Sequence, residues 1–449
     1  MLYTAPGVYY EEVVIQPEVS LPTGIPGFIG FATKVTATLE KLPEEIQFAL
    51  ESLKDTLSYE QDHQRLNFTG IMSTNKRDEL LALSPNNQAF KKAVEILFKN
   101  AQSVVALNSQ QEFAEKNHVA SQGSESYLKE AVTGFFENGG TRCYVVPALL
   151  STTQPSDKDK KEALLTAINA LALLIDIDLV AIPDVMTLSD KDAIYEVQQA
   201  AIKHCAKYGD RFAILDALPE AEAESVSKQW DDIKKNQTEE ELRNGALYYP
   251  WLRNAQGRWV PPCGHIAGIF ARSDRARGVF KAPANEEVRG AVDLQFPVDN
   301  SVQSDLNTIG INCLRAFPGR GIRVWGARTL SNDRNWRYIN VRRLFLTLKR
   351  WIDLNMGWAV FEPNSLQLWV RIERELTSYL TQLWRAGAFK GETPEQAFYV
   401  KCNAETNPPE SREAGKVLTE IGFAPTSPAE FIVVRITQRP NTTELTYIE

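Results

Sequence analysis

No apolar run in the sequence reaches the roughly 20 residues that cross a bilayer. The longest candidate, Ala163 to Ile182, is broken by Asn169, Asp176 and Asp178, so direct membrane insertion is not expected. No opening stretch couples basic residues to an apolar run, which points to synthesis in the cytoplasm rather than secretion. Cysteine is scarce: the five thiols, Cys143, Cys205, Cys263, Cys313 and Cys402, are scattered and form no C-x-x-C. That excludes a disulfide framework or structural zinc and predicts reduced, buried thiols. Phosphate loops are missing, since neither G-x-x-x-x-G-K-[ST] nor G-x-G-x-x-G occurs,. Gly319-Arg320-Gly321 lacks their spacing and reads as a turn between strands. There is no G-x-S-x-G elbow for a nucleophilic serine. Of four histidines, His204 adjoins Cys205 on a predicted helix, where neighbours point apart,. Cys263-Gly264-His265 offers two metal ligands, too few for a zinc site,. It reads as a buried thiol beside a satisfied imidazole. No catalytic residue, cofactor or metal is expected.

What is present is ordinary for a soluble globular protein: 449 residues, 43 % hydrophobic and 24 % charged. That length allows a large core and more than one domain. The net charge of -8 argues against a nucleic-acid partner,.

The pattern predicts an α/β fold of mixed α+β character: a mixed sheet flanked by helices, extended terminal strands and a peripheral insertion. Val8 to Ile15 is rich in β-branched and aromatic residues and precedes a Pro/Gly-broken stretch ending at Gly27,. A second strand follows at Phe28 to Ala32. Residues 1–27 therefore read as an arm with its linker, and 28–34 with 101–424 as the core. Residues 35–100 are polar and helical in pattern, with helices at Leu42 to Leu57 and Ala89 to Phe98, and read as the insertion. Helix at Lys161 to Leu174, strand at Leu179 to Ile182, helix at Lys191 to Lys207 and strand at Phe212 to Leu215 form an αβαβ unit. Further helices are expected at Val341 to Asp353 and Ser365 to Arg385. Pro425 and Pro428 lead into a strand at Glu430 to Thr437 and a polar tail from Gln438, so 425–449 read as the second arm. An unpaired strand must find a partner; pairing within the subunit is the simplest expectation for both.

Two features invite function. Asp176, Asp178 and Asp184 flank a strand end, where an α/β enzyme would hold a metal, although aspartates there also cap and turn. From Arg315 to Arg350 there are ten Lys/Arg residues and one acid, Asp333. In the Val341 helix, Val341, Leu344, Phe345, Leu348 and Ile352 share a face, and Arg342, Arg343, Lys349 and Arg350 fall opposite. An outward basic stripe is expected, either merely solvated or facing an acidic partner, nucleic acid or a protein surface, of which the overall negative charge favours protein.

The chain resembles the contractile tail sheath family of phages, R-type bacteriocins and extracellular contractile injection systems. The resemblance rests on Thr4 to Glu12, Phe135 to Val146 (FFENGGTRCYVV), Val260 to Gly268, Lys281 to Asn285, Phe317 to Thr329 (FPGRGIRVWGART), Asn340 to Leu344 (NVRRL), Phe361 to Asn364 and Glu405 to Glu410. Residues 35–100 match little. The resemblance implies a structural subunit, not an enzyme, that stacks as six-membered, helically offset rings around an inner tube and contracts to drive that tube through a membrane. Implied partners are further copies of itself, the tube protein, baseplate and cap or terminator proteins, and sheath paralogues. It implies that the arms pair between subunits, through Val8, Tyr9, Tyr10 and Val13 at one end and Phe431, Ile432, Val433, Val434 and Ile436 at the other. Pro17 to Gly27 and Pro425 to Pro428 become hinge candidates, and Arg342, Arg343, Lys349 and Arg350 the tube attachment. The particle implied is free, membrane-anchored or viral. Two rivals are a type VI secretion sheath, which is built from two chains, and a metal-dependent α/β enzyme.

Overall fold

The computed structural model describes residues 21–33, 104–115, 126–150 and 155–430. It adds backbone strands at 35–38, 57–60, 65–68, 433–439 and 442–448 and isolated helical positions at 91 and 94. Val8, Tyr9, Tyr10, Val13, Pro17, Phe431 and Ile432 lie outside the described residues, as does nearly all of both helices expected between 42 and 98.

In chain order the strands are β1 Pro26–Thr33, β2 Val35–Thr38, β3 Leu57–Glu60, β4 Arg65–Phe68, β5 Val105–Leu107, β6 Cys143–Leu150, β7 Leu179–Ala181, β8 Phe212–Asp216 and β9 Gly245–Tyr249. They continue with β10 Leu252–Asn254, β11 Trp259–Val260, β12 Ala291–Leu294, β13 Ile311–Phe317, β14 Gly321–Trp325, β15 Phe398–Lys401, β16 Glu420–Phe423, β17 Val433–Arg439 and β18 Thr442–Ile448. The helices that matter below are α1 Leu128–Glu137, α2 Asp157–Ala170, α3 Lys191–Tyr208, α4 Cys263–Arg277, α5 Ile339–Asn355 and α6 Leu366–Arg385.

Eight strands form one sheet in the order β14-β13-β9-β8-β7-β1-β6-β5. The six inner strands run parallel, and β5 and β14 close the two edges antiparallel. Parallel strands are covered on both faces, so they read as continuous apolar runs. Every residue of β7, β8 and β9 is buried, as that rule requires. Local chemistry sets the helix ends. Ser156 and Asp159 form a reciprocal capping box on α2,. Asp190 caps α3, which stops at Gly209 in the left-handed region (φ 64°),. The turn at Gly319 and Gly321 joins β13 to β14.

The FFENGG motif has a packing reason. A Cβ on Gly264 of α4 would lie 2.2 Å from the carbonyl oxygen of Ala131, and one on Gly268 would lie 2.4 Å from that of Phe135. Helices α1 and α4 thus touch backbone to backbone. Asn138 ends α1 and locks this crossing, with Nδ2 donating to the carbonyls of Gly134 (2.9 Å) and Arg289 (3.0 Å).

The αβαβ unit and the helices at α5 and α6 stand where the pattern placed them. Two readings are corrected. Residues 35–38, 57–60 and 65–68 form a three-stranded antiparallel sheet, β2-β4-β3, within the stretch read as helical in pattern. The tail from Gln438 is not merely polar: Thr442–Ile448 pairs antiparallel with Val433–Arg439, Val433 opposite Ile448 and Ile436 opposite Leu445. Its alternating threonines and apolar residues suit a strand. All five cysteines are buried and unpaired.

Candidate functional site

Helix α5 does not present a basic stripe. Arg342, Arg343 and Arg350 are all buried, and of the four residues expected at the tube only Lys349 is exposed. Arg343 lies in the interior with its guanidinium on two carboxylates. Nη1 donates to Asp274 Oδ1 (2.8 Å), and Nη2 to Asp274 Oδ2 (2.6 Å) and Asp178 Oδ2 (2.9 Å). Burial alone would lower its pKa, but the flanking Asp274 and Asp178 more than reverse this and raise it. Arg350 donates to the carbonyls of Pro22 (3.1 Å) and Asp176 (3.0 Å). Arg342 has a neutral partner, Asn244 Oδ1 (2.9 Å from Nη2), and burial pushes its pKa down to about 10. Lys349 bonds the Tyr208 carbonyl and pairs with Asp353 at 3.1 Å. Ile339 and Leu346 fall within the arc of the arginines and are buried in the core, so this face packs inward, and part of what covers it comes from far away in the chain.

That cover is the root of the N-terminal arm. Asp178 accepts from the backbone N–H of Gly24 (3.0 Å) and Ile25 (2.6 Å) while it pairs with Arg343. Thr23 hydrogen-bonds Asp274. Gly24 has φ 70°, and a Cβ there would come within 2.4 Å of Ala271 Cα. Residues 22–27 are therefore anchored, which corrects their assignment to a hinge. The other root is also fixed. Asn340, at the start of α5, donates from Nδ2 to the carbonyls of Phe280 (2.7 Å) and Thr426 (3.0 Å). Arg328 grips Glu430 with two bonds, 3.0 and 2.5 Å, and donates to the Asn307 carbonyl. Pro425 bridges Phe389. Pro425 to Pro428 is thus docked on the core rather than free to swing.

The three aspartates near β7 do not converge. Asp176 accepts from the Tyr144 hydroxyl (3.0 Å) and Asp178 serves the arm root. Asp184 accepts from the N–H of Phe31 (2.7 Å) and Tyr127 (2.6 Å) and from the Ser126 hydroxyl. Among the described residues no three His, Cys, Asp or Glu side chains are placed to hold a metal. Cys263 and His265 are buried, but Nδ1 of His265 finds no hydrogen-bond partner among the described residues, so the imidazole is not fully satisfied as expected. Burial lowers its pKa to about 4, which keeps it neutral.

Asp216, at the end of β8, is a structural carboxyl with a pH signature. It accepts from the N–H of Cys263 (2.8 Å) at the start of α4. Burial pushes its pKa from 3.8 up to about 7. Because the folded value is raised, its contribution to stability is complete below about pH 4 and is lost as pH rises through 7. Asp216→Asn keeps the acceptor and removes the buried charge. It is expected to stabilise by on the order of 2 kcal/mol at pH 8, with the gain fading towards pH 4. Thermal melts of both proteins across that range check this, and a loss of stability at every pH would sink it.

The outward charge lies on α6. Its apolar side, Leu368, Trp369, Ile372, Leu376 and Leu380, is buried, whereas Arg371, Arg374 and Arg385 are exposed. At 100° per residue these three arginines, with Gln367 and Ser378, share one stripe, bordered by Glu375, which pairs with Arg371,. The signal was available as periodicity in the sequence but was overshadowed by the denser Arg/Lys run ending at Arg350.

The phage tail sheath central-domain model matches residues 158–330. The model of the phage tail sheath C-terminal domain matches residues 331–439. The tail sheath protein of Vibrio phage KVP40 is 28 % identical over 185 residues, 40 % of this chain and 27 % of its own. The tail sheath protein of Salmonella phage ViI is 25 % identical over 51 % of this chain and 37 % of its own. The chain thus spans well under half the length of these curated relatives. A chain in the sheath complex of PVC, an extracellular contractile injection system in its contracted state, is 26 % identical with a TM-score of 0.62, covering 98 % of this chain and 99 % of that one. Fold and matches together define a structural protein of contractile sheaths. The chain belongs to the phage tail sheath family.

Proposed function

We propose that this protein is the subunit of a contractile sheath, polymerising as stacked six-membered rings around an inner tube and shortening to drive the tube through a target membrane. The observation that carries this is the end-to-end likeness to the PVC sheath chain. A second observation supports the assembly mode. Strands β15 and β16 pair only with each other among the described residues, Phe398 opposite Phe423 and Lys401 opposite Glu420. A two-stranded sheet is marginal alone, and its open edges suit strand addition. The terminal arms of neighbouring copies would supply those strands, through Val8 to Val13 at one end and Val433 to Ile436 at the other. The work of contraction then comes from repacking between copies, with no nucleotide required. The tube contact is reassigned from α5 to Arg371, Arg374 and Arg385 of α6. Baseplate and cap proteins would bound the polymer, and the particle would act outside the cell that makes it.

The test is electron microscopy of the chain co-expressed with its tube partner. Wild-type protein should give hollow cylinders that become wider and shorter on firing. Deletion of residues 1–20 should leave a folded subunit, with an unchanged melting temperature, that forms no cylinder. Discrete small oligomers from the wild-type pair under all conditions would overturn the proposal.

A further inference from the structure

The two arm roots are 400 residues apart in sequence yet meet one helix. At its start, Asn340 of α5 holds the Thr426 carbonyl, and the N–H of Ile339 donates to Ala327 beside Arg328, the partner of Glu430. Further along, Arg343 fixes Asp178, which binds the N–H groups of Gly24 and Ile25. Near its far end, Arg350 holds the Pro22 carbonyl. Ten residues of helix separate Asn340 from Arg350, about 15 Å. Nearly every side chain between them is buried.

The geometry points to α5 as a rigid strut that joins the two arms inside each subunit. Residues 22–27 and 424–430 are its two fixed ends, and the bending that contraction requires falls outside both. Several features favour transmission rather than give. The Arg343 pairs are sealed from solvent, so salt does not screen them as it does surface pairs. Helix hydrogen bonds run along the line between the two ends. The carbonyls of Pro22 and Thr426 are held by side chains projecting from that same rod. Tension delivered to one arm by a neighbour would therefore pass to the other arm through α5, alongside the eight-stranded sheet that the N-terminal root enters at Pro26. This rests on the sheath reading for what pulls on the arms, but the anchoring can be tested without it.

Hydrogen–deuterium exchange on the purified full-length chain tests the anchors first. The amides of Gly24, Ile25 and Thr426, each hydrogen-bonded to the core, should exchange as slowly as their core neighbours in the wild type. Arg350→Met should speed exchange at Gly24 and Ile25 at least tenfold while β8 is unchanged, and Asn340→Ala should do the same at Ala424 and Thr426. Arg350→Lys, which keeps a single donor nitrogen in place of two, should restore part of the protection. Rapid exchange at either root in the wild type would overturn the strut. The second test uses assembled cylinders. Those of the Arg350→Met, Asn340→Ala double variant should form at normal length and then break into short pieces when contraction is triggered. Intact contraction of the variant would overturn the transmission role. Failure of wild-type protein to form cylinders would count against the sheath reading, leaving the exchange result to decide the anchors.

Discussion

Replacing Arg343 with leucine is expected to cost about 3–5 kcal/mol of stability. The reason is asymmetry. Arg343 is paired at 2.6 and 2.9 Å with two carboxylates that are themselves almost wholly buried. Removing the guanidinium leaves Asp274 and Asp178 facing each other without a counter-charge. Asp178 must still serve the N–H groups of Gly24 and Ile25, so it cannot turn away. A chain of this size cannot absorb such a loss easily, because net stabilities are commonly about 5–15 kcal/mol. The variant should be largely insoluble or melt well below the wild type. Adding Asp274→Asn to Arg343→Leu should recover part of the loss, since it removes one of the two uncompensated charges while Asp178 keeps both oxygens for Gly24 and Ile25. Chemical denaturation of the three proteins checks this. An Arg343→Leu variant within about 1 kcal/mol of the wild type would show that the pairs contribute little.

The second large effect is on assembly, not on folding. Changing Arg371, Arg374 and Arg385 together to glutamate is expected to abolish tube-bound cylinders while leaving the melting temperature nearly unchanged. The side chains are exposed; Arg371 pairs at 3.3 Å with Glu375 on its own helix, and such pairs are worth about 0–1 kcal/mol. Their value lies in repetition around and along a polymer, where reversing three charges per subunit is multiplied. Raising salt should weaken the wild-type contact in the same direction, because exposed charges are screened. Normal cylinders from the triple variant would return the tube contact to another surface. Changing Lys349 alone serves as the comparison, and it should have little effect.

Regular structure was legible where periodicity was strong. Strand β8 and helices α3, α5 and α6 follow from apolar spacing and caps, within about two residues at each end. The arginines of α5 show where that reasoning stops. Periodicity tells which side chains share a face, yet whether water or another segment covers the face depends on contacts such as Arg343 with Asp178, 165 residues away. The same applies to Pro22–Gly27. Prolines and glycines break helices and strands, but a broken segment can be bolted down as firmly as a helix, here by Asp178, Arg350 and the tight fit of Gly24. The hairpin β17–β18 escaped notice because threonine, asparagine and glutamate look like a tail until their alternation is counted. The open sheet β15–β16 had no sequence signature beyond two short apolar stretches.

The buried cysteines bear on durability. Burial holds the thiols of Cys205 and Cys313 up at about 12 and raises the other three. Reaction with oxidants or with other thiols proceeds through the thiolate, which is scarce at any physiological pH. A polymer repeats each side chain in every ring, so one reactive sulfur per subunit would weld neighbours together wherever peroxide or oxygen is plentiful, and a sheath welded in its long form cannot fire. With all five thiols buried, such cross-links between copies are disfavoured.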